Sequence, residues 1–385
     1  MTPACAPSDH SVPAPTTSEQ PPFIHGAYYP SWKIYRNQPP SSMDLDIISH
    51  VFYAFIRVRE DGTIYHLDEK ADLHYPIPST SSSVPSSFPT TTGCLASLTH
   101  LRATTHPHLK LLLSLGGASG SSPFPALAAS PLARSTLATS LSTFLHTHAP
   151  GFDGIDLDWE HPSTPADGRH YLLLLRALRA ALPAPRYLLT AALPAGEWCL
   201  RHVPLKDVVG ELDWVGLMCY DFAGGWTPRS GHHARLYAAA RPHDAYGARS
   251  VAGAVEYVVG TRGVPAGKVV VGVPVYGRAF LGVDGPGERF EGVGGADGCV
   301  DYRELPGKLK KIKEDLGVWG AACLRTGEGG RREWVSFDCP RTVGEKARFV
   351  RERGLGGLFY WTGVADKEGE GSLLRAGYEG LYGAK

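Results

Sequence analysis

The sequence predicts an α/β fold, a (β/α)8 TIM barrel with a small α+β domain inserted between its seventh and eighth strands. Three observations carry this. Eight short apolar runs recur along the 385 residues, alternating with segments of helical character. Candidate polar residues gather near the C-terminal ends of those runs, where a parallel barrel collects its functional groups. The last two runs are separated by far more chain than a loop needs. An open doubly wound sheet is the competing arrangement, but it usually carries a glycine-rich nucleotide loop after its first strand, and none stands there.

Residues 1–22 are rich in Pro, Ser, Thr and Ala and read as a disordered tail. The barrel domain is assigned to 23–385. Its strands are expected at 24–29, 50–56, 110–115, 152–160, 187–192, 214–220, 269–276 and 357–361, each short and rich in β-branched, aromatic or aliphatic residues. Helical periodicity is clearest at 131–148, 168–182, 249–261 and 343–353. The Pro/Ser/Thr-rich stretch 76–92 reads as a mobile surface insertion. The inserted domain is placed at 277–339, with glycine clusters, a strand-like 333–337 and the basic residues Lys308, Lys310, Lys311 and Lys313, read as a solvated helix face rather than an anion site.

The 38 basic and 38 acidic residues balance to a formal charge of +0. There is no basic field for nucleic acid or an anionic membrane, and an uncharged substrate suits this surface. No run approaches the roughly 18 apolar residues that span a bilayer. The seven cysteines are scattered without a C-x-x-C pair, and Asn37, the only asparagine, precedes Gln-Pro and forms no glycosylation sequon. The first residues lack a signal peptide's apolar core. Together these point to the cytosol. Export by a non-conventional route, or a misassigned start, would leave the same sequence. A monomer is the default expectation.

The most informative run is Gly151-Phe-Asp-Gly-Ile-Asp-Leu-Asp-Trp-Glu160. Strand side chains alternate between faces, so Asp156, Asp158 and Glu160 share one face and Ile155, Leu157 and Trp159 the other. Carboxylates in a row on a buried strand repel one another and resist desolvation, so they add little stability. A solvated polar edge would explain them, but the opposite face is too apolar. The remaining reading is a catalytic set whose mutual repulsion keeps one member protonated near neutral pH. Asp153 has the opposite parity and is expected to stabilise the strand.

The spacing D-x-x-D-x-D-x-E resembles the signature of family 18 glycoside hydrolases, the chitinases. Ser114-Leu-Gly-Gly117, Met218-Cys-Tyr-Asp221, Tyr276-Gly-Arg278 and Gly356-Gly-Leu-Phe-Tyr-Trp361 resemble further elements of that family, and the whole is most similar to fungal-type members with an inserted small domain. The resemblance implies hydrolysis of β-1,4 bonds between N-acetylglucosamine units of chitin. Family 18 departs from the two-carboxylate scheme and uses the substrate's acetamido oxygen as nucleophile. Glu160 is then the general acid and later base, its pKa raised by Asp158 and Asp156. Asp158 holds the acetamido N–H and stabilises the oxazolinium intermediate, and Asp156 shares a proton with Asp158. Tyr220 hydrogen-bonds the acetamido oxygen.

The substrate-side set implied in the same way is Asp221, Trp361, Arg278, Tyr28, Met218, Trp226 and Ser114. Trp361 is the expected floor of the subsite before the cleaved bond, since sugar faces stack on aromatic rings. Tyr28 and Ser114 are expected to support Asp156. For Trp226 and Trp32, a stacking role and a packing role are both open. Ala118 stands where many relatives carry Trp, and His161 follows Glu160 where Tyr is common. His232-His233 lacks the spacing of a metal site, so no metal and no cofactor is expected. A chitin-binding lectin and an endo-β-N-acetylglucosaminidase are the alternatives. The retained Glu160 argues against the first, and the inserted domain with Tyr276-Gly-Arg278 against the second.

Overall fold

In the computed structural model, which describes residues 23–78, 91–240, 246–305 and 312–383, eight parallel strands close into a barrel. They are Ile24–Pro30, His50–Val58, Lys110–Gly116, Gly154–Asp158, Leu188–Pro194, Trp214–Met218, Val269–Pro274 and Gly357–Trp361. Each pairs with the next in chain order, and the eighth pairs back with the first. Strands covered on both faces read as near-continuous apolar runs, which is why all eight stand out in the sequence.

Three of them are shorter than expected, the seventh ending at Pro274 rather than Tyr276. The ladder of the fourth strand ends at the pair Gly116–Asp158, and that of the sixth at Pro194–Met218. The chain then leaves the sheet, so Glu160 and Tyr220 stand just past the rim rather than within strands.

Alternation sorts the fourth strand as parity requires. Ile155, Leu157 and Trp159 enter the large apolar layer between barrel and helices. Trp159 stacks on Phe124 with ring centroids 5.5 Å apart and meets Tyr171 edge-on at 5.7 Å. The barrel axis holds a separate cluster including Tyr28, Phe52, Leu112, Trp214 and Phe359.

The helices begin where their caps dictate. The Ser130 side chain accepts the Ala133 N–H ahead of Pro131–Thr147, and Thr164 and Asp167 form a reciprocal capping box ahead of Pro165–Ala181. Both helices carry proline at the first helical position, where its missing N–H costs nothing. Tyr171, Leu174, Leu175 and Leu178 form the buried stripe of the second. The segment expected helical at 249–261 starts at its Ser250 cap as Val251–Val255 and widens into a π turn, Glu256–Thr261. The last expected helix starts earlier, at Pro340, and runs to Glu352.

Between the seventh and eighth barrel strands lies a second, antiparallel sheet. Its strand order is Gly292–Val293, Tyr276–Leu281, Arg332–Phe337, Gly320–Thr326 and Ile312–Asp315, with Cys299–Asp301 also pairing Tyr276–Leu281. Lys313 lies on the edge strand Ile312–Asp315 and not on a helix face, because Lys313 pairs with Ala322. The other three lysines of that basic segment lie outside the described residues, as do the tail 1–22 and residues 79–90 of the Pro/Ser/Thr-rich stretch. The flanks of that stretch, Pro76–Ile77 and Thr91–Thr92, pair as a short antiparallel ribbon. Among the described residues no helix is long and apolar enough to cross a membrane.

Candidate active site

Barrel register assembles the deepest carboxylate. Asp156 lies level with Ser114 on the third strand and Thr190 on the fifth. Its Oδ2 accepts from Tyr28 Oη at 2.7 Å and Ser114 Oγ at 2.8 Å, and its Oδ1 from Thr190 Oγ1 at 2.7 Å. Burial raises its pKa, and these three hydroxyl donors pull against the rise. Ser114 is fully buried beneath Asp156, so it stands under the site and away from any ligand, whereas Tyr28 also reaches the cleft wall.

Asp158 comes next along the same face. It is buried, and its Oδ1 has no hydrogen-bond partner among the described residues. No hydrogen bond joins it to Asp156, whose oxygens are occupied by the three hydroxyls. Burial, then the charges of Glu160 and Asp156, push its pKa well above the carboxylate range, against the Arg57 guanidinium.

Glu160 is more open. Its side chain is 23 % exposed, and its backbone N–H donates to Ser121 Oγ at 2.8 Å. Its pKa is pushed up to about 7, first by burial and then by the charge of Asp221, against a hydrogen bond from the Ala118 backbone. The cause differs from the expectation that Asp158 and Asp156 would raise it. The repulsion between Asp158 and Glu160 raises Asp158 instead, and the charge that raises Glu160 is that of Asp221, from another strand end.

Asp221 earns that role from its partners. It sits in the left-handed region at φ 58°, which turns its carboxylate towards Arg278 and Tyr276. Arg278 grips it with Nε to Oδ1 at 2.8 Å and Nη2 to Oδ2 at 2.7 Å, and Tyr276 Oη donates to Oδ1 at 2.8 Å. His233 Nδ1 lies 3.5 Å away. Burial alone would raise the Asp221 pKa, but His233 and Arg278 outweigh it and hold the group well below the carboxylate range. Arg278, expected to reach sugar hydroxyls, here spends its donors on Asp221 and on Cys299 Sγ at 3.0 Å.

Two lobes meet at these carboxyls. One, of about 820 Å³, is lined by Trp32, Phe55, Arg57, Asp158 and Trp361 among others. Trp361 ends the eighth strand, stacks on Phe55 at 5.6 Å and 25°, and lies 6.5 Å from Trp32. The other, of about 500 Å³, is lined by His161, Trp198, Trp226 and Arg249 among others. Trp32, Trp198 and Trp226 are 40–50 % exposed, and Trp226 carries the Arg278 guanidinium 4.8 Å from its centroid. Glu160, Met218, Tyr220 and Asp221 line both lobes, so Glu160 stands at the junction of a groove with aromatic surface on either side.

Several of these residues escaped the sequence reading. Thr190 lies in an expected strand, and Arg57 directly follows the expected strand 50–56, which runs on to Val58. Nothing local marked His233 as a neighbour of Asp221.

The profile of the glycosyl hydrolases family 18 matches residues 25–366. The chain is 34 % identical over 373 residues to chitinase 1 of Aphanocladium album, covering 93 % of this chain and 85 % of that one. It is 34 % identical to endochitinase 1 of Metarhizium robertsii, covering 91 % and 84 %. Among solved structures it is similar to catalytic domain 2 of the Ostrinia furnacalis Group II chitinase, with a TM-score of 0.79 at 27 % identity over 94 % of this chain and 96 % of that one. A mutant of that domain, solved with the chitooligosaccharide (NAG)5, superposes with a TM-score of 0.80 at 26 % identity over the same shares of the two chains.

Proposed function

This chain belongs to the glycosyl hydrolases of family 18, and on that premise we propose that Glu160, at the junction of the two lobes, is the proton donor of its reaction. The enzyme is a chitinase. It hydrolyses the β-1,4 bonds between N-acetylglucosamine units by substrate-assisted, retaining catalysis. The observation that carries the assignment of Glu160 is its place: it lines both lobes, with its pKa pushed up to about 7.

A sugar on the Trp361 side has the scissile bond at the junction. Glu160, protonated at near-neutral pH, gives its proton to the leaving oxygen. The substrate's acetamido oxygen attacks the anomeric carbon from within the same sugar. Asp158 receives the acetamido N–H and balances the charge of the oxazolinium ion. Tyr220, a neighbour of Asp221 lining both lobes, holds the acetamido oxygen. Asp156 fixes the inner end of the carboxyl row through Tyr28, Ser114 and Thr190. Arg278 acts by holding Asp221 in place. Trp361 supplies the stacking face of the subsite before the cut. Water then enters from the second lobe, gives a proton to Glu160 and opens the intermediate with retention.

The test is product analysis of a chitin hexamer with wild type and with Glu160→Gln. Shorter oligomers from wild type alone support the reading. Binding without cleavage by wild type would favour a lectin.

A further inference from the structure

His161 follows Glu160 directly and shares the second lobe with it. Its Nε2 lies 3.9 Å from Glu160 Oε2. That is too long for a direct hydrogen bond. It is the right separation for a single oxygen atom to lie within hydrogen-bond reach of both. Trp198 packs against the ring edge-to-face at 5.5 Å and 83°. The other ring nitrogen, Nδ1, is buried without a partner among the described residues.

The two nitrogens decide the tautomer. Nδ1 has no acceptor for an N–H among the described residues, and a buried N–H left unpaired is among the rarest and costliest of orphaned groups. The proton therefore sits on Nε2, pointing to the side of Glu160. Burial lowers the imidazole pKa to about 4, so the ring is an uncharged donor over the range in which Glu160 titrates.

We propose that His161 is a positioning residue: its Nε2–H and the Glu160 carboxyl grip the same oxygen, first that of the departing sugar and then that of the incoming water. The proposal rests on Glu160 being the acid. As Glu160 loses its proton, the N–H steadies the resulting charge through that shared oxygen and so favours the carboxylate. The groups that face Glu160 from other elements are Asp158, Asp221, Tyr220, the Ala118 N–H and Ser121. Arg57 acts on it through Asp158 and Arg278 through Asp221. Arg249 and Trp226 line the lobe beyond. Among these, Asp221 is the carboxylate whose charge raises the Glu160 pKa, and His161 opposes it.

The experiment compares His161→Phe, which keeps a planar ring without a donor, with His161→Gln, whose amide N–H reaches about as far as Nε2. Both are assayed on a soluble chitin oligomer across pH, with thermal midpoints measured alongside. His161→Phe should lower kcat about tenfold, the worth of one hydrogen bond, with little change in KM. It should also move the alkaline limb of kcat/KM to higher pH, because the carboxylate has lost a stabilising donor. His161→Gln should restore both. An unmoved alkaline limb in His161→Phe, or equal losses in the two variants, would overturn the proposal. If the Phe variant does not fold, His161→Met serves as the donor-free ring replacement. Glu160→Gln is run in parallel: activity surviving in it would undo the assignment of the acid itself, whereas an inactive Glu160→Gln with an unmoved His161→Phe profile undoes only the role of His161.

Discussion

Arg278 holds Asp221 through two hydrogen bonds, Nε to Oδ1 at 2.8 Å and Nη2 to Oδ2 at 2.7 Å, and this grip keeps Asp221 ionised beside the acid. The pair sits across two separate elements, the sixth strand end and the second sheet. The guanidinium stabilises the one carboxylate whose charge lifts Glu160 towards neutral pH.

Replacing Asp221 by Asn should therefore lower the Glu160 pKa. The negative charge disappears, and the unpaired Arg278 now favours the Glu160 carboxylate. The alkaline limb of kcat/KM should move to lower pH by about one unit, the shift typical of a nearby unit charge. A limb that stays in place or moves up would show that Asp221 does not set the acid.

Glu160→Gln should cut turnover by roughly 10²–10⁴, the usual worth of a positioned general acid, while oligosaccharide binding measured by calorimetry persists. The change removes the proton and leaves both lobes intact. Asp158→Asn should be severe as well.

The same Glu160→Gln variant should differ in stability with pH. A carboxyl whose folded pKa rises from 4.5 to about 7 favours the folded state most below 4.5 and loses that contribution as pH rises through 7. Glutamine has no such loss. Between pH 4 and pH 8, wild type should lose up to about 3 kcal/mol more than the variant by urea unfolding, less what solvent screens. Parallel curves would contradict the raised pKa.

Asp153→Ala should act through stability. Asp153 pairs with Arg102 at 2.7 Å and accepts the Leu111 N–H at 2.9 Å, on the side of the strand away from the groove. A loss of about 1–3 kcal/mol is expected, with kcat per folded molecule unchanged. A stable but inactive variant would contradict the side-chain parity of the strand.

Fully deacetylated chitosan should resist cleavage, since it lacks the acetamide that attacks the anomeric carbon. Chromatography of the digest decides this, and release of glucosamine oligomers would exclude the substrate-assisted route.

Much of the barrel was legible because strands covered on both faces leave unbroken apolar runs, and because strict alternation fixes which face Asp156 and Asp158 share. The helix Pro165–Ala181 was legible through its apolar periodicity from 168 onward, although its start at the Thr164 cap was not read. What the sequence hid was pairing across distance. Arg278 and Asp221 are 57 residues apart, and no local pattern selects a sugar or a carboxylate as the partner of an arginine. Thr190 and Arg57 fall into place only once strand register is known. Lys313 was read as helical because lysines were counted without the pairing to Ala322 that makes the segment an edge strand.

A single residue, Val275, separates the seventh barrel strand from Tyr276–Leu281 of the second sheet, and its N–H donates to Trp361 O at 2.7 Å. A junction this short, already tied to the eighth strand, has no slack to act as a hinge. The wall that carries Arg278 and the floor that carries Trp361 must then travel together, and a polymer has to fit a slot of set width. Lengthening that junction by a few glycines would test this directly. It would leave every groove residue present, yet uncouple the grip on Asp221 from the Trp361 ring.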